Sequence, residues 1–188
     1  PVVAHPDALH YSRVIAHKLG KPEEALTLMR QSLEAAPHQA DWYSNLGIVL
    51  QAEDDLEGAI AAFQQALDLQ PGHANAHNNI GVLLRLVGRL KEAEAQYRSA
   101  IELNPNHADA YHNLAIVLDQ LQRTPEAITA YCKALTLKPD YPDARRLLAL
   151  AYCIIGERDK AIQVCREWLA HEPDDPHPRH SLAACSGI

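Results

Sequence analysis

Apolar residues in this chain come in pairs of helical blocks broken by short polar stretches. Over 40–73 they run Leu46, Ile48, Val49 and Leu50, then Leu56, Ile60, Phe63, Ala66 and Leu67, each set spaced to line one face of a helix. The pattern returns every 34 residues, and Pro37, Pro71, Pro105, Pro139 and Pro173 mark the interval. With each proline at position 32, the chain divides into units 6–39, 40–73, 74–107, 108–141 and 142–175, with a partial sixth or capping helix at 176–188. A fixed period of this length means one supersecondary unit stacked repeatedly, so function is to be read from the surface of the stack. No stretch alternates with period two, and no sheet is expected.

Numbering by the period sorts residues into roles. Position 20 is Ala25, Ala59, Ala93, Ala127 and Ala161; position 24 is Met29, Phe63, Tyr97, Tyr131 and Cys165; position 27 is Ser32, Ala66, Ala100, Ala134 and Trp168. Position 8 is Gly47, Gly81, Ala115 and Ala149, with Arg13 as the exception. Small residues at 8 and 20 let two helices approach closely, and large ones at 7 and 24 fill the space beside them. Gly20, Gly88 and Gly156 at position 15 suit the left-handed residue that ends a helix, and Pro22 and Pro125 suit the first turn of the next. Each unit is therefore an antiparallel hairpin, with helix A at about positions 2–14 and helix B at about 18–31.

The segment ADWYSNLGIVLQAEDDLEGAIAAFQQALDLQPGH at 40–73 resembles the tetratricopeptide repeat, and the likeness extends over all five units and into the sixth. The resemblance implies an all-α solenoid, a right-handed superhelix in a single domain over 1–188. Its concave wall, built from positions 2, 5, 6, 9, 12 and 13 of the A helices, commonly holds a peptide or protein segment.

Composition narrows the partner. The chain is 47% hydrophobic, mostly through alanine and leucine, and its longest apolar runs fall far short of a membrane span. A net charge of −7 argues against nucleic acid, which needs a basic face, and no polybasic membrane patch is present. No signal peptide opens the chain, and Pro1 reads as a boundary of processing or expression. Cys132, Cys153, Cys165 and Cys185 do not align between units and include no CxxC pair, so reduced structural thiols and a cytoplasmic location are expected. Among eleven histidines, His38, His73 and His107 follow the prolines by one or two residues and recur as loop residues; His177, His180 and Cys185 lack a fourth zinc ligand at a known spacing. No metal and no cofactor are expected, and with no GxSxG, phosphate loop or HExxH, neither is catalysis within these residues.

The wall is what remains. Position 6 carries Asn45, Asn79 and Asn113 in three successive units, and an amide that both donates and accepts can hold a peptide backbone whatever its side chains. Neighbouring helices stand about 8–10 Å apart and an extended chain advances about 3.3–3.6 Å per residue, so one asparagine meets every third residue or so. This ladder is similar to that of the O-GlcNAc transferases. Asparagine is also common at this position across the family, which leaves local solvation of helix A as a second account. Asn75, Asn78 and His112 add polar groups beside the row, Asp41, Asp109 and Asp143 form an acidic edge at position 2, and Arg85 and Arg146 are isolated basic points. Such an edge repels an acidic chaperone tail and favours an extended, neutral to mildly basic segment.

The sixth unit stops without a helix B, so its apolar face needs cover, from another copy or a following domain. The stretch WLAHEPDDPHPRHSLAACSG is similar to the junction of bacterial repeat arrays with a methyltransferase domain. The expected function is thus an interaction scaffold for an extended segment. The alternative is the substrate-recruiting region of a larger transferase, of the O-GlcNAc or methyltransferase kind, with its catalytic domain outside this chain.

Overall fold

The protein is represented by a computed structural model that describes residues 22–171. Among the described residues there are nine helices and no strand. The B helices are α1 (Pro22–Ala35), α3 (Leu56–Leu69), α5 (Leu90–Leu103), α7 (Thr124–Leu137) and α9 (Arg158–His171); the A helices are α2 (Ala40–Ala52), α4 (Ala74–Leu86), α6 (Ala108–Gln120) and α8 (Pro142–Ile154). The chain is an all-α solenoid of repeated hairpins. The first A helix, the unit at 176–188 and Cys185 lie outside the described residues.

Two compact units divide the contacts, Pro1–Leu83 and Leu84–Ile188. In the first, α2 packs on α3 and on α1. In the second, α6 with α7 and α8 with α9 form hairpins, and α5 with α6 and α7 with α8 carry the stacking between repeats. A cluster of charges also ties successive repeats of that unit: Glu94 accepts from Arg98 at 2.8 Å and from Arg123 at 2.8 Å, and Arg123 reaches on to Glu126 at 2.6 Å. Burial pushes the Glu94 carboxyl up, but hydrogen bonds from Arg98 and Arg123 outweigh it and hold the group below its ordinary range.

Each proline ends a B helix by acting on the residue before it. Gln70, Asn104 and Lys138 are the C-caps, at φ −138, −137 and −134 and ψ 88, 91 and 84. The proline ring excludes the helical conformation from its predecessor and pushes it to extended backbone. The A helices end differently, in a Schellman turn repeated four times. Asp55, Arg89, Arg123 and Glu157 donate their backbone N–H to the carbonyls of Leu50, Leu84, Leu118 and Tyr152 at 2.8–2.9 Å. Position 15 takes positive φ in all four, 79° at Gly88 and 82° at Gly156, but also 63° at Asp54 and 61° at Gln122. The turn is thus held even where a side chain costs about 1–2 kcal/mol in that conformation.

The core follows the register. Ala59, Ala93, Ala127 and Ala161 at position 20 and Phe63, Tyr97, Tyr131 and Cys165 at position 24 are all fully buried. A Cβ built on Gly47 would stand 2.8 Å from the Phe63 ring, so position 8 is small because position 24 is large. The fifth repeat exchanges the two sizes: Cys165 replaces the aromatic while Trp168 replaces alanine at position 27, both within 1% of complete burial. The bulky side chain has moved from position 24 to position 27. The cysteines otherwise depart from expectation. Cys132 and Cys165 are free, but Cys153 is disulfide-bonded. A disulfide belongs to an oxidising environment, so thiol state no longer argues for a reducing compartment.

The size exchange predicts a coupled response. Trp168→Ala alone should cost about 3–5 kcal/mol by leaving a cavity, and Cys165→Tyr alone should destabilise by overpacking. The double variant should recover most of the loss in denaturant titration; additive losses would show that the two sites do not share one space.

Candidate functional site

Helix A presents two faces. Positions 8 and 11 go into the hairpin, with Leu50, Leu84 and Leu118 buried at 2–6% exposure; position 9, one residue round, is exposed at Ile48 and Leu150 and half-buried at Val82 and Ile116. Ile48 is 46% exposed and Leu150 45%, and at position 13 Leu86 is 55% and Ile154 64% exposed. These four aliphatics share a stripe with positions 2 and 6, because residues three, four and seven apart fall on one helix face. The wall therefore runs from carboxylates through amides to exposed aliphatic groups. Periodicity alone could not reveal the aliphatic part, since an apolar residue on helix A reads as core.

In the first unit Asn45 and Asn79 are half-buried and Asn75 is exposed, while Asn78 is buried and donates from Nδ2 to Asn79 Oδ1 at 3.3 Å. Asn45 and, in the second unit, the half-buried Asn113 have interactions of their own within the protein. Asp41 is mostly exposed but reaches His73 Nε2 at 3.2 Å, and that nitrogen also lies 3.0 Å from Ser44 Oγ. The acidic edge is thus partly structural, linking position 2 of one repeat to the residue that precedes the next A helix.

The second unit repeats the device with different chemistry. Asp109 lies 3.7 Å from Lys138 Nζ, which stands 4.2 Å over the ring of Tyr141, and Asp143 lies 3.7 Å from Arg146. Burial and the Asp109 carboxylate raise the Tyr141 hydroxyl above its ordinary range. His112 is buried, its ring 4.5 Å from that of Tyr141 and 6.0 Å from that of Tyr131. Burial holds its pKa below the ordinary 6.5, against Asp143 and Asp109, which favour the proton, and with Arg85 and Lys138, which oppose it. Arg85 and Arg146 are half-buried on the same helix faces.

His107 has a role the sequence did not reveal. Its Nδ1 accepts from the backbone N–H of Ala110 at 3.3 Å and caps α6, a task more usual for Asn, Asp or Ser. Accepting requires a neutral ring with its proton on Nε2. Burial likewise lowers its pKa, only partly countered by Asp109.

Open clefts occur on the other side of the second unit, between successive B helices. One of about 360 Å³ is lined by Arg98, Tyr111, Leu118, Thr129 and Lys133, and another of about 480 Å³ by Cys132, Leu148, Tyr152, Lys160 and Val164. Among the described residues no group of three or more His, Cys, Asp or Glu side chains is placed to hold a metal, and no helix is long and apolar enough to cross a membrane.

The two histidines set a pH dependence. Both have folded pKa values below 6.5, so as pH falls through 6.5 the unfolded chain takes up protons that the folded one refuses. Stability should be full above pH 6.5, decline below it, and stop declining on their account once the folded values are passed. His107→Asn keeps a cap and removes one titrating group, so its denaturation midpoint should drop less than that of the parent between pH 7.5 and 5.5. An equal drop would remove His107 from this account.

Models of the tetratricopeptide repeat match residues 8–72, 38–106 and 72–140, and a second such model matches 125–185. No curated protein matches the chain. Among solved structures, that of MamA superposes with a TM-score of 0.78 at 26% identity, covering 86% of this chain and 94% of the other. Pseudomonas aeruginosa PilF gives 0.76 at 22%, covering 96% and 88%. YrrB, described as a tetratricopeptide protein with an unusual peptide-binding site, gives 0.73 at 20%, covering 94% and 91%. At those identities PilF and YrrB speak for the fold. Repeat match and fold together point to a non-catalytic protein-interaction scaffold, and the chain belongs to the tetratricopeptide repeat family.

Proposed function

We propose that the A-helix wall of each unit takes up an extended peptide segment. What carries this reading is the exposure of aliphatic side chains at the wall positions of the A helices, Ile48 in the first unit and Leu86, Leu150 and Ile154 in the second, on the helix face whose position 6 carries asparagine in α2, α4 and α6. Single exposed aliphatics are ordinary on a protein surface, but recurrence at two fixed positions of one helix face makes a stripe. Aliphatic groups supply non-directional burial for a ligand's side chains, and the amides at position 6 supply directional bonds to its backbone. A strand-like ligand needs both, because its side chains point alternately toward and away from the wall. The peptide-binding site described for YrrB lends support by fold analogy.

Two variants separate the contributions. Replacing Asn45, Asn79 and Asn113 with alanine removes two backbone contacts from the first unit's wall and one from the second's, each worth about 0.5–1.5 kcal/mol, and should weaken capture on an array of mixed-sequence dodecamers by about threefold to tenfold or more. Leu150→Ser with Ile154→Ser should weaken it comparably by removing the aliphatic stripe. Both sets lie on the outer face of helix A, so circular dichroism should show unchanged helicity. Parent-level capture by both variants would overturn the proposal.

A further inference from the structure

The two clefts on the B-helix side of the second unit are one site met twice. One lies between α5 and α7 and the other between α7 and α9, and their lining residues fall at shared positions of the repeat. Position 7 supplies a buried leucine to each, Leu114 and Leu148. The charges at the rim are exchanged. Position 19 is Glu126 in the first cleft and Lys160 in the second, while position 26 is Lys133 in the first and Glu167 in the second. All four side chains are exposed. Thus α7 carries acid and then base two turns apart, and α9 carries base and then acid at the same spacing.

Existing contacts leave these groups within reach of a partner. Glu126 pairs with Arg123 at 2.6 Å and Lys160 with Glu157 at 3.4 Å, and Glu167 accepts from Gln163 Nε2 at 2.8 Å. Exposed pairs of this kind contribute little to stability, and each charged group keeps further donor or acceptor capacity.

Between the clefts stands α7, whose outward ridge carries no charge. It consists of Thr129, Cys132 and Thr136, three and four residues apart and all exposed. Thr129 Oγ1 donates to the Pro125 carbonyl at 3.2 Å and Thr136 Oγ1 to the Cys132 carbonyl at 2.8 Å. Both hydroxyls are therefore satisfied on their own helix, which leaves methyl groups and a thiol for contact. At the same positions α5 carries Arg98 and Glu102, and α9 carries Arg166. A low, uncharged ridge flanked by two clefts suits ridge-into-groove packing.

We infer that this side of the second unit binds a second copy of the chain, about a two-fold axis parallel to the B helices. Ridge side chains of α7 in each copy enter the α7–α9 cleft of the other, and those of α9 enter the α5–α7 cleft. Such an axis keeps the helices parallel, so Glu126 meets the partner's Lys160 and Lys133 meets the partner's Glu167, and symmetry repeats both pairs. An antiparallel pairing would set Glu126 against the partner's Glu167 and Lys133 against the partner's Lys160. Charge order thereby selects one orientation and one register. Cys132, on the ridge beside the axis, faces the partner's Cys132. The A-helix wall lies on the other side of the hairpins, so association leaves it open to a peptide.

Sedimentation equilibrium in low salt should show a dimer whose dissociation constant rises with added salt. Lys160→Glu with Glu167→Lys gives α9 the charge order of α7 and should weaken association about tenfold or more, as should Glu126→Lys with Lys133→Glu. Mixing the two double variants should restore a dimer containing one of each, and all four substitutions in one chain should restore the homodimer, because opposite charges then face each other again. Circular dichroism should show parent helicity for every variant. A short bismaleimide should link two chains through Cys132, and Cys132→Ser should abolish the link while the dimer persists. A chain that sediments as a monomer throughout the micromolar range, or a dimer indifferent to the charge reversals, would overturn the inference. So would a dimer that the reversals weaken and neither the mixture nor the fourfold variant restores.

Discussion

The distance between helix A and helix B of one hairpin governs everything else in this protein. It is set where the position 24 side chain enters the space left by small residues at positions 8 and 20. In the second repeat this contact is so tight that a single methyl on Gly47 would collide with the Phe63 ring. Close packing gains dispersion and excludes water, but it leaves no room for volume changes unless a neighbour compensates. The fifth repeat shows the constraint from the other side, because it tolerates Cys165 in the aromatic's place beside Trp168.

Once one side of helix A is committed to this contact, its other side is left open. Positions 2, 6, 9 and 13 turn away from that contact, so the packing of position 24 does not dictate which side chains stand there. This is why carboxylate, amide and aliphatic groups can lie along one stripe. It also explains why the acidic edge is partly taken up by the structure. Asp41 with His73, and Asp109 with Lys138 beneath Tyr141, stitch an A helix to the residues that lead into the next one. Repeat stacking therefore draws on the same row that is proposed for the ligand, and the exposed position 2 carboxylates serve it through these contacts.

The repeat core was legible because it must recur: alanine at position 20 and the large residue at 24 are needed in each hairpin, and the proline at 32 ends helix B by excluding helical backbone from its predecessor. What recurs by tolerance was harder to see. Asp54 and Gln122 adopt the left-handed turn that glycine adopts at Gly88 and Gly156, because the Schellman hydrogen bonds hold the backbone there regardless of side chain. His107 as a cap breaks the usual residue preference, and the disulfide-bonded Cys153 has no cysteine counterpart at position 12 of the other repeats. Asn45, Asn79 and Asn113 were visible as a row, but Ile48 and Leu150 were hidden among apolar residues one position away from the buried stripe. Only solvent exposure separates the two.

The central claim is that ligand meets the open face of helix A. It is tested most directly by methyl-labelled NMR spectra of the isoleucines, leucines and valines during titration with dodecamers recovered from the mixed-sequence array. The account predicts shifts at Ile48, Leu86, Leu150 and Ile154, with Leu118 and Val164 in the clefts between B helices unmoved. Shifts confined to Leu118, Leu148 and Val164 would place the ligand on the opposite side of the hairpins and contradict it.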